Sequence, residues 1–304
     1  MILNFKLSKA QIFSTMLLTL FGIFTTSTTG VKADTASNTD AQFSITPHFT
    51  SSQTDTQLGY YHMRVKKGKI YHLRVRIFNN NKTQNVHFQV QLCNASNTAQ
   101  GQITYAASQK AKTAPHNYKS LTSLSITELK KKVLIPAHSY KDVLFKFKVP
   151  AGGFKGTIVG GIYVTRQNVQ AKNNRTGTSN GITNTFSMTL PIFISQNFMQ
   201  KISPVLLLKK TNIFSSASHV YLTTTLLNNS PVIFGKTRLN IELSVHKKTI
   251  YKKTLKNIQM APYSELPLVL RLTAQIKPHK KYLLIVEVHS GNFTKKIVKK
   301  ITSP

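Results

Sequence analysis

Eight carboxylates, one thiol and ten imidazoles are the side chains of this sequence with the reactivity for acid–base, nucleophilic or metal chemistry. The acids are Asp34, Asp40, Asp55, Glu128, Asp142, Glu242, Glu265 and Glu287, and after Asp40 no two stand close together. Glycosidase-type catalysis needs two carboxylates converging on one bond. So few acids, spread among so many cations, argue against it. The histidines form no His-x-x-x-His or His-Glu-x-x-His pairing, and a close pair such as His62 and His72 has no flanking acid or cysteine to complete a zinc set. Cys93 has no second cysteine to pair with. As a nucleophile it would need a positioned histidine, and His87, six residues away, is expected on the opposite side of the same strand. A buried structural thiol is the expectation for Cys93. No catalytic set, no metal site and no cofactor is expected.

The elements that position these side chains are strands. Tyr71, Leu73, Val75 and Ile77 alternate with His72, Arg74 and Arg76; Phe145, Phe147 and Val149 alternate with Lys146 and Lys148. Leu239, Ile241, Leu243 and Val245 alternate with Arg238, Asn240, Glu242 and Ser244. A period of two buries one face and presents the other. Arg74, Arg76, Lys146 and Lys148 are therefore candidate polyanion contacts, although lysines on strands also blunt edge-to-edge pairing without any ligand. Turn clusters at 79–81, 150–153, 173–174, 228–231 and 290–292 separate the runs. Only residues 121–132 suggest a short helical turn, with Leu124 and Glu128 four apart. No regular βαβ alternation occurs, so the fold class is all-β.

Lys6 and Lys9, an apolar run over 12–24 and the small-residue pattern Val31-Lys32-Ala33 read as a secretory leader, removed near Ala33. No later apolar run is long enough for a membrane helix. Lys and Arg number 41 against eight acids; removing Lys6, Lys9 and Lys32 leaves 38 against the same eight, a charge of about +30. An exported polycation is expected to meet teichoic acids, anionic headgroups or acidic polysaccharide rather than nucleic acid, and to bind less as salt rises; a general adaptation to an acidic habitat is the competing reading of the same charge. The length suits two β-sandwich domains, with 1–33 as signal peptide, 34–196 as the first domain and 197–304 as the second. Residues 168–181 read as an exposed loop within the first.

Several segments, in order, carry a family resemblance. Phe43-Ser-Ile-Thr-Pro47, Leu58-Gly59-Tyr60-Tyr61 and Val65-Lys66-Lys67-Gly68 come first, followed by Ala95-Ser96-Asn97, Gly101-x-Ile103-x-Tyr105, Val133-Leu-Ile-Pro136 and residues 154–162. Pro204-Val-Leu-Leu-Leu208, Leu227-Asn228-Asn229-Ser-Pro231, Met260-Ala-Pro262-Tyr-Ser264 and Tyr282 complete the set. Together they resemble the WxL-interacting proteins of Gram-positive cell surfaces, over nearly the whole mature chain. Lys67 stands where the family usually has proline, and the sequence ends at Pro304 without the family's usual membrane helix, so no transmembrane anchor is expected in this chain.

The resemblance implies two immunoglobulin-like sandwiches: a first module attached to peptidoglycan, and a second bound to a WxL-domain surface protein, with host matrix proteins as a further partner class; the charge adds anionic wall polymers to the expected partners. On that footing Tyr60, Tyr61, Asn97 and Tyr105 are the candidate glycan contacts, since aromatic faces stack on sugars and amides bond hydroxyls. Core packing is the competing role for each tyrosine. The competing functions are a polycationic adhesin for teichoic acids and a secreted assembly chaperone that donates a strand.

Overall fold

The computed structural model describes residues 42–105, 118–167, 186–216 and 218–304. The expected leader, Asp34, Asp40, the turn at 173–174 and the loop 168–181 lie outside them.

Among the described residues the first part of the chain forms β1 (Phe43–His48), β2 (Tyr61–Arg64), β3 (Ile70–Asn79), β4 (Val86–Asn94), β5 (Ser96–Asn97), β6 (Ile103–Thr104), β7 (Lys130–Ile135), β8 (Tyr140–Lys148), β9 (Thr157–Arg166) and β10 (Ser187–Ser195). A three-stranded sheet, β1-β3-β8, packs on a five-stranded one, β2-β10-β9-β4-β7. Only the β2–β10 pair of these is parallel. Alternation places Leu73, Val75, Ile77, Phe145 and Phe147 of one sheet against Phe88, Val90, Leu92, Ile162 and Ile192 of the other. Each such side chain contributes about 1.5–3 kcal/mol on burial, which fixes the inward set and hence the register.

The second part forms β11 (Leu206–Leu208), β12 (Asn212–Ser216), β13 (His219–Asn228), β14 (Phe234–Val245), β15 (Lys248–Met260), β16 (Glu265–Leu272), β17 (Lys281–Ser290) and β18 (Phe293–Thr302). One sheet has β13 at its centre with β11, β12 and β16 on its edges; the other runs β15-β14-β17-β18. Leu239, Ile241, Leu243, Leu284 and Val286 meet Leu222, Leu226, Leu266 and Leu268 between them. The architecture is all-β. The expected helical turn is a single turn, Leu121–Leu124, capped by Ser120 and Ser123. It stops short of Glu128 because Ser125 is extended and the chain enters β7.

The chain changes sheets after Ser195, since β10 pairs with β9 and β2 while β11 pairs with β13. A seam joins the two sandwiches. Ala95, Val159 and Ala261 form a small apolar cluster with Ile103, Tyr105, Phe193 and Ile233 around it. The Thr157 and Gln259 amides donate to the carbonyls of Pro231 and Gly101.

Candidate functional site

Tyr60, Tyr61, Asn97 and Tyr105 have unlike fates. Tyr61 is wholly buried between the sheets of the first sandwich. Its hydroxyl lies 2.8 Å from the carbonyls of both His48 and Arg74, sharing its one proton between them, and accepts the Arg74 amide at 3.0 Å. Burial pushes its phenol up to about 12. Asn97 is buried in the seam: its amide nitrogen donates to the Gln259 carbonyl, and its oxygen accepts from the Ala261 amide and the Ser264 hydroxyl. Neither offers a free group to a sugar, so both are corrected to structural residues, committed by burial and by satisfied hydrogen bonds.

Tyr60 and Tyr105 do come together. Tyr60 sits 5.4 Å from Phe193 of β10, and Tyr105 lies over Gly161 of β9, where an added Cβ would sit in tight contact with it at 3.1 Å. Burial pushes the Tyr105 phenol up to about 12, helped by the neighbouring Tyr60. Tyr60, Tyr105 and Phe193 make a half-buried aromatic shelf on the outer side of the five-stranded sheet, beside the seam.

The same face continues away from the seam as two polar rows. Pairing aligns Lys130, Gln91, Tyr163 and Thr189 across β7, β4, β9 and β10, and next to them Lys132, Gln89, Thr165 and Ser187. The side chains of Gln89, Gln91, Tyr163 and Thr189 make no hydrogen bond to other described residues and are partly exposed. Two free amides, a phenol ring, hydroxyls and flanking ammonium groups on a flat surface suit a glycan bearing acyl-amide and carboxylate groups. These residues were missed in the sequence, although a signal was there: Phe88, Val90 and Leu92 point inward, which turns His87, Gln89 and Gln91 outward.

Arg74, Arg76, Lys146 and Lys148 do share the outer face of the three-stranded sheet, where His72 pairs with Lys146 and Ile70 with Lys148. Arg76 is bound by Asp142 through two hydrogen bonds of 2.8 and 3.1 Å and lies over the Tyr140 ring. Those bonds hold the Asp142 carboxyl below its usual range. Of the four, Arg76 is thus engaged by Asp142.

Among the described residues no three His, Cys, Asp or Glu side chains group as a metal site. Asp142, Glu242, Glu265 and Glu287 each have a Lys or Arg beside them. Cys93 is buried, and burial pushes its thiol up to about 11. One expectation about it is corrected: positions 87 and 93 have the same parity, so His87 and Cys93 share the outward side of β4. Six residues of strand, about 20 Å, separate them instead. No helix among the described residues is long and apolar enough to cross a membrane.

Residues 43–166 match the family model described as WxL Interacting Protein, peptidoglycan binding domain. Residues 178–302 match that described as WxL Interacting Protein, host binding domain. The second match begins ahead of β10, which pairs within the first sandwich. No curated protein matches the sequence. Among solved structures, the crystal structure of red sea bream transglutaminase aligns with 86% of this chain and 31% of its own at 12% identity, with a TM-score of 0.23. The chain thus spans less than a third of that protein, and so low a TM-score carries no argument about fold or activity.

Proposed function

The chain belongs to the WxL-interacting protein family, and on that premise we propose that it is a non-catalytic surface adaptor, exported by a signal peptide in residues 1–33 from a Gram-positive cell. Its first domain, residues 34–196, holds peptidoglycan; its second, 197–304, holds a WxL-domain protein, with host matrix protein as a further ligand. Both are taken as immunoglobulin-like. The observation that carries the reading is the tandem pair of matches, one a peptidoglycan-binding and one a host-binding domain, laid over two consecutive sandwiches.

On the first domain we assign the glycan to the outer face of the five-stranded sheet: Tyr60 and Tyr105 as the apolar shelf, and Gln89, Gln91, Tyr163 and Thr189 as the hydrogen-bonding rows. Support comes from the side-chain polar groups of Gln89, Gln91, Tyr163 and Thr189, which have no hydrogen-bond partner among the described residues, and from Lys130 and Lys132 at the rim, placed to meet carboxylates of peptide stems. Retention on the wall is non-covalent.

A second reading, polycationic adhesion to anionic wall polymers, is favoured by one observation: 41 Lys and Arg against eight acids. Co-sedimentation of residues 34–304 with insoluble peptidoglycan, before and after teichoic acids are stripped, separates the two. Binding to stripped wall should persist in about 0.5 M salt, where exposed charge pairs are screened beyond a few ångströms, and should fall when Gln89, Gln91 and Tyr163 are changed together to alanine. Binding that disappears with stripping or with salt leaves adhesion by charge alone.

A further inference from the structure

The second sandwich carries a cationic cleft at the end of its strands remote from the seam. It is a concavity of about 400 Å³ lined by Ser244, His246, Lys247, Lys281, Lys300 and Thr302 around Leu283. We propose that this cleft binds the phosphodiester groups of an anionic wall polymer, giving the protein a second attachment point apart from the glycan face of the first domain.

Sheet pairing builds the cleft. Ser244 of β14 pairs with Leu283 of β17, which pairs with Lys300 of β18; Lys281 and Thr302 are paired one step further on. The turn from β14 to β15, His246-Lys247, closes over this edge. Three ammonium groups and an imidazole thus surround Leu283, with the Thr302 hydroxyl as a further donor and Tyr282 and Ile301 turned to the core. No carboxylate lines the cleft, and among the described residues Lys247, Lys281 and Lys300 have no acidic partner. Glu242, one pairing step away on the same face, is occupied by the Thr249 hydroxyl and by Lys252 at 3.8 Å. Glu287, further along, is occupied by Lys296 at 3.5 Å.

The turn supplies two of the basic groups. His246 and Lys247 both have positive φ, 46° and 65°. Two-residue hairpin turns of this kind ordinarily use Asn-Gly, which adopts that backbone with little strain. Here a histidine and a lysine take those two positions. The turn thus projects two nitrogen-bearing side chains into a cleft that already holds Lys281 and Lys300. A repeating phosphodiester, charged at every unit, suits such a site better than a single carboxylate.

The preference for an anion rests on the cleft; the choice of a wall polymer rests on the surface location proposed above. The test measures binding of residues 34–304 to purified glycerol-phosphate teichoic acid at 0.15 M salt. Polygalacturonate serves as a phosphate-free polyanion and phosphatidylglycerol vesicles as a lipid source of phosphodiester. The cleft variant Lys281→Gln/Lys300→Gln should bind the teichoic acid about thirtyfold more weakly, since each lysine close to an anionic surface is worth about a fivefold gain. A charge-matched control on the first domain, Lys66→Gln/Lys67→Gln, should stay within about twofold. Equal losses in both variants, polygalacturonate bound as tightly, or vesicles preferred over the polymer would each overturn the proposal. Sedimentation with stripped peptidoglycan should be unaltered in the cleft variant. A failure of the cleft is therefore distinguishable from a failure of the glycan reading.

Discussion

His62 shows what a single side chain can report about this molecule. It projects outward from β2, stacks on Phe198 with ring centroids 3.9 Å apart, and bonds Thr54 through Nδ1. Burial lowers its pKa from 6.5, against an opposing pull from Asp55. The unfolded chain therefore takes up a proton at a higher pH than the folded one. Stability contributed by this site is complete above about pH 6.5 and declines as pH falls from there toward the folded value. Denaturant midpoints between pH 7.5 and 5 should show the wild type losing more stability on acidification than His62→Gln. Parallel curves for the two would show that the stacked ring does not sense pH. The contrast with Tyr61 and Asn97 marks the limit of reading residues one at a time. An aromatic ring and an amide are chemically apt for sugars in any sequence. Whether a hydroxyl is already bonded to His48 and Arg74, or an amide to Gln259 and Ala261, depends on partners 13 to 164 positions away. Spacing along the chain does not carry that information.

At the scale of elements the period of two carried far. The runs around residues 71–77, 145–149 and 239–245 all became strands with the expected faces inward, because burying one face admits only one parity. Which strand pairs with which was not legible. The parallel β2–β10 pair, and β4 held between β9 and β7, result from packing two sheets, not from any local pattern. The cleft was hidden for the same reason, since Ser244, Leu283 and Lys300 meet only through pairing. Gly160 shows how tightly these elements interlock. It faces inward from β9, and the one-turn helix fills the space with Leu121. A methyl group added at Gly160 would fall 2.5 Å from the Cys93 carbonyl and run into the Leu121 side chain. The carbonyl belongs to the neighbouring strand and cannot yield. Gly160→Ala should destabilise the protein by about 1–3 kcal/mol, as overpacked cores do, read as a lower denaturation midpoint. Gly59→Ala, with open space around its position, should lie close to wild type. An undiminished midpoint for Gly160→Ala would mean that the helical turn is loosely held.

For the whole molecule the question is whether two sandwiches act as one body. A linker as short as residues 197–203 limits their separation, but the seam does more. Asn97 ties β5 to the end of β15, Gly101 accepts from Gln259, Gly156 lets the Pro231 backbone approach too closely for any side chain, and Tyr118 packs on Tyr263 at 4.3 Å. The amide of Asn97 is the group that several of these contacts share. Replacing it with alanine leaves the buried Ala261 amide without its acceptor and the Gln259 carbonyl without the Asn97 donor, while the Ser264 hydroxyl keeps only the Ala261 carbonyl. Each unsatisfied buried group costs about 1–3 kcal/mol, so Asn97→Ala should weaken the seam by about 2–4 kcal/mol while leaving both cores intact. Calorimetry should find a single transition for residues 34–304 and two for the variant, the lower belonging to whichever sandwich loses the support of its neighbour. Wild type melting in two steps would mean that the seam does not couple the domains. A rigid seam also bears on the proposed attachment, because it fixes the distance between the face proposed for glycan near Tyr60 and the lysine cleft at the far end of the second sandwich. With the seam loosened, Asn97→Ala should keep its affinity for stripped peptidoglycan and for teichoic acid measured separately. It should lose affinity for intact wall, where both ligands must be reached at one fixed separation and the gain from linking two sites depends on that geometry.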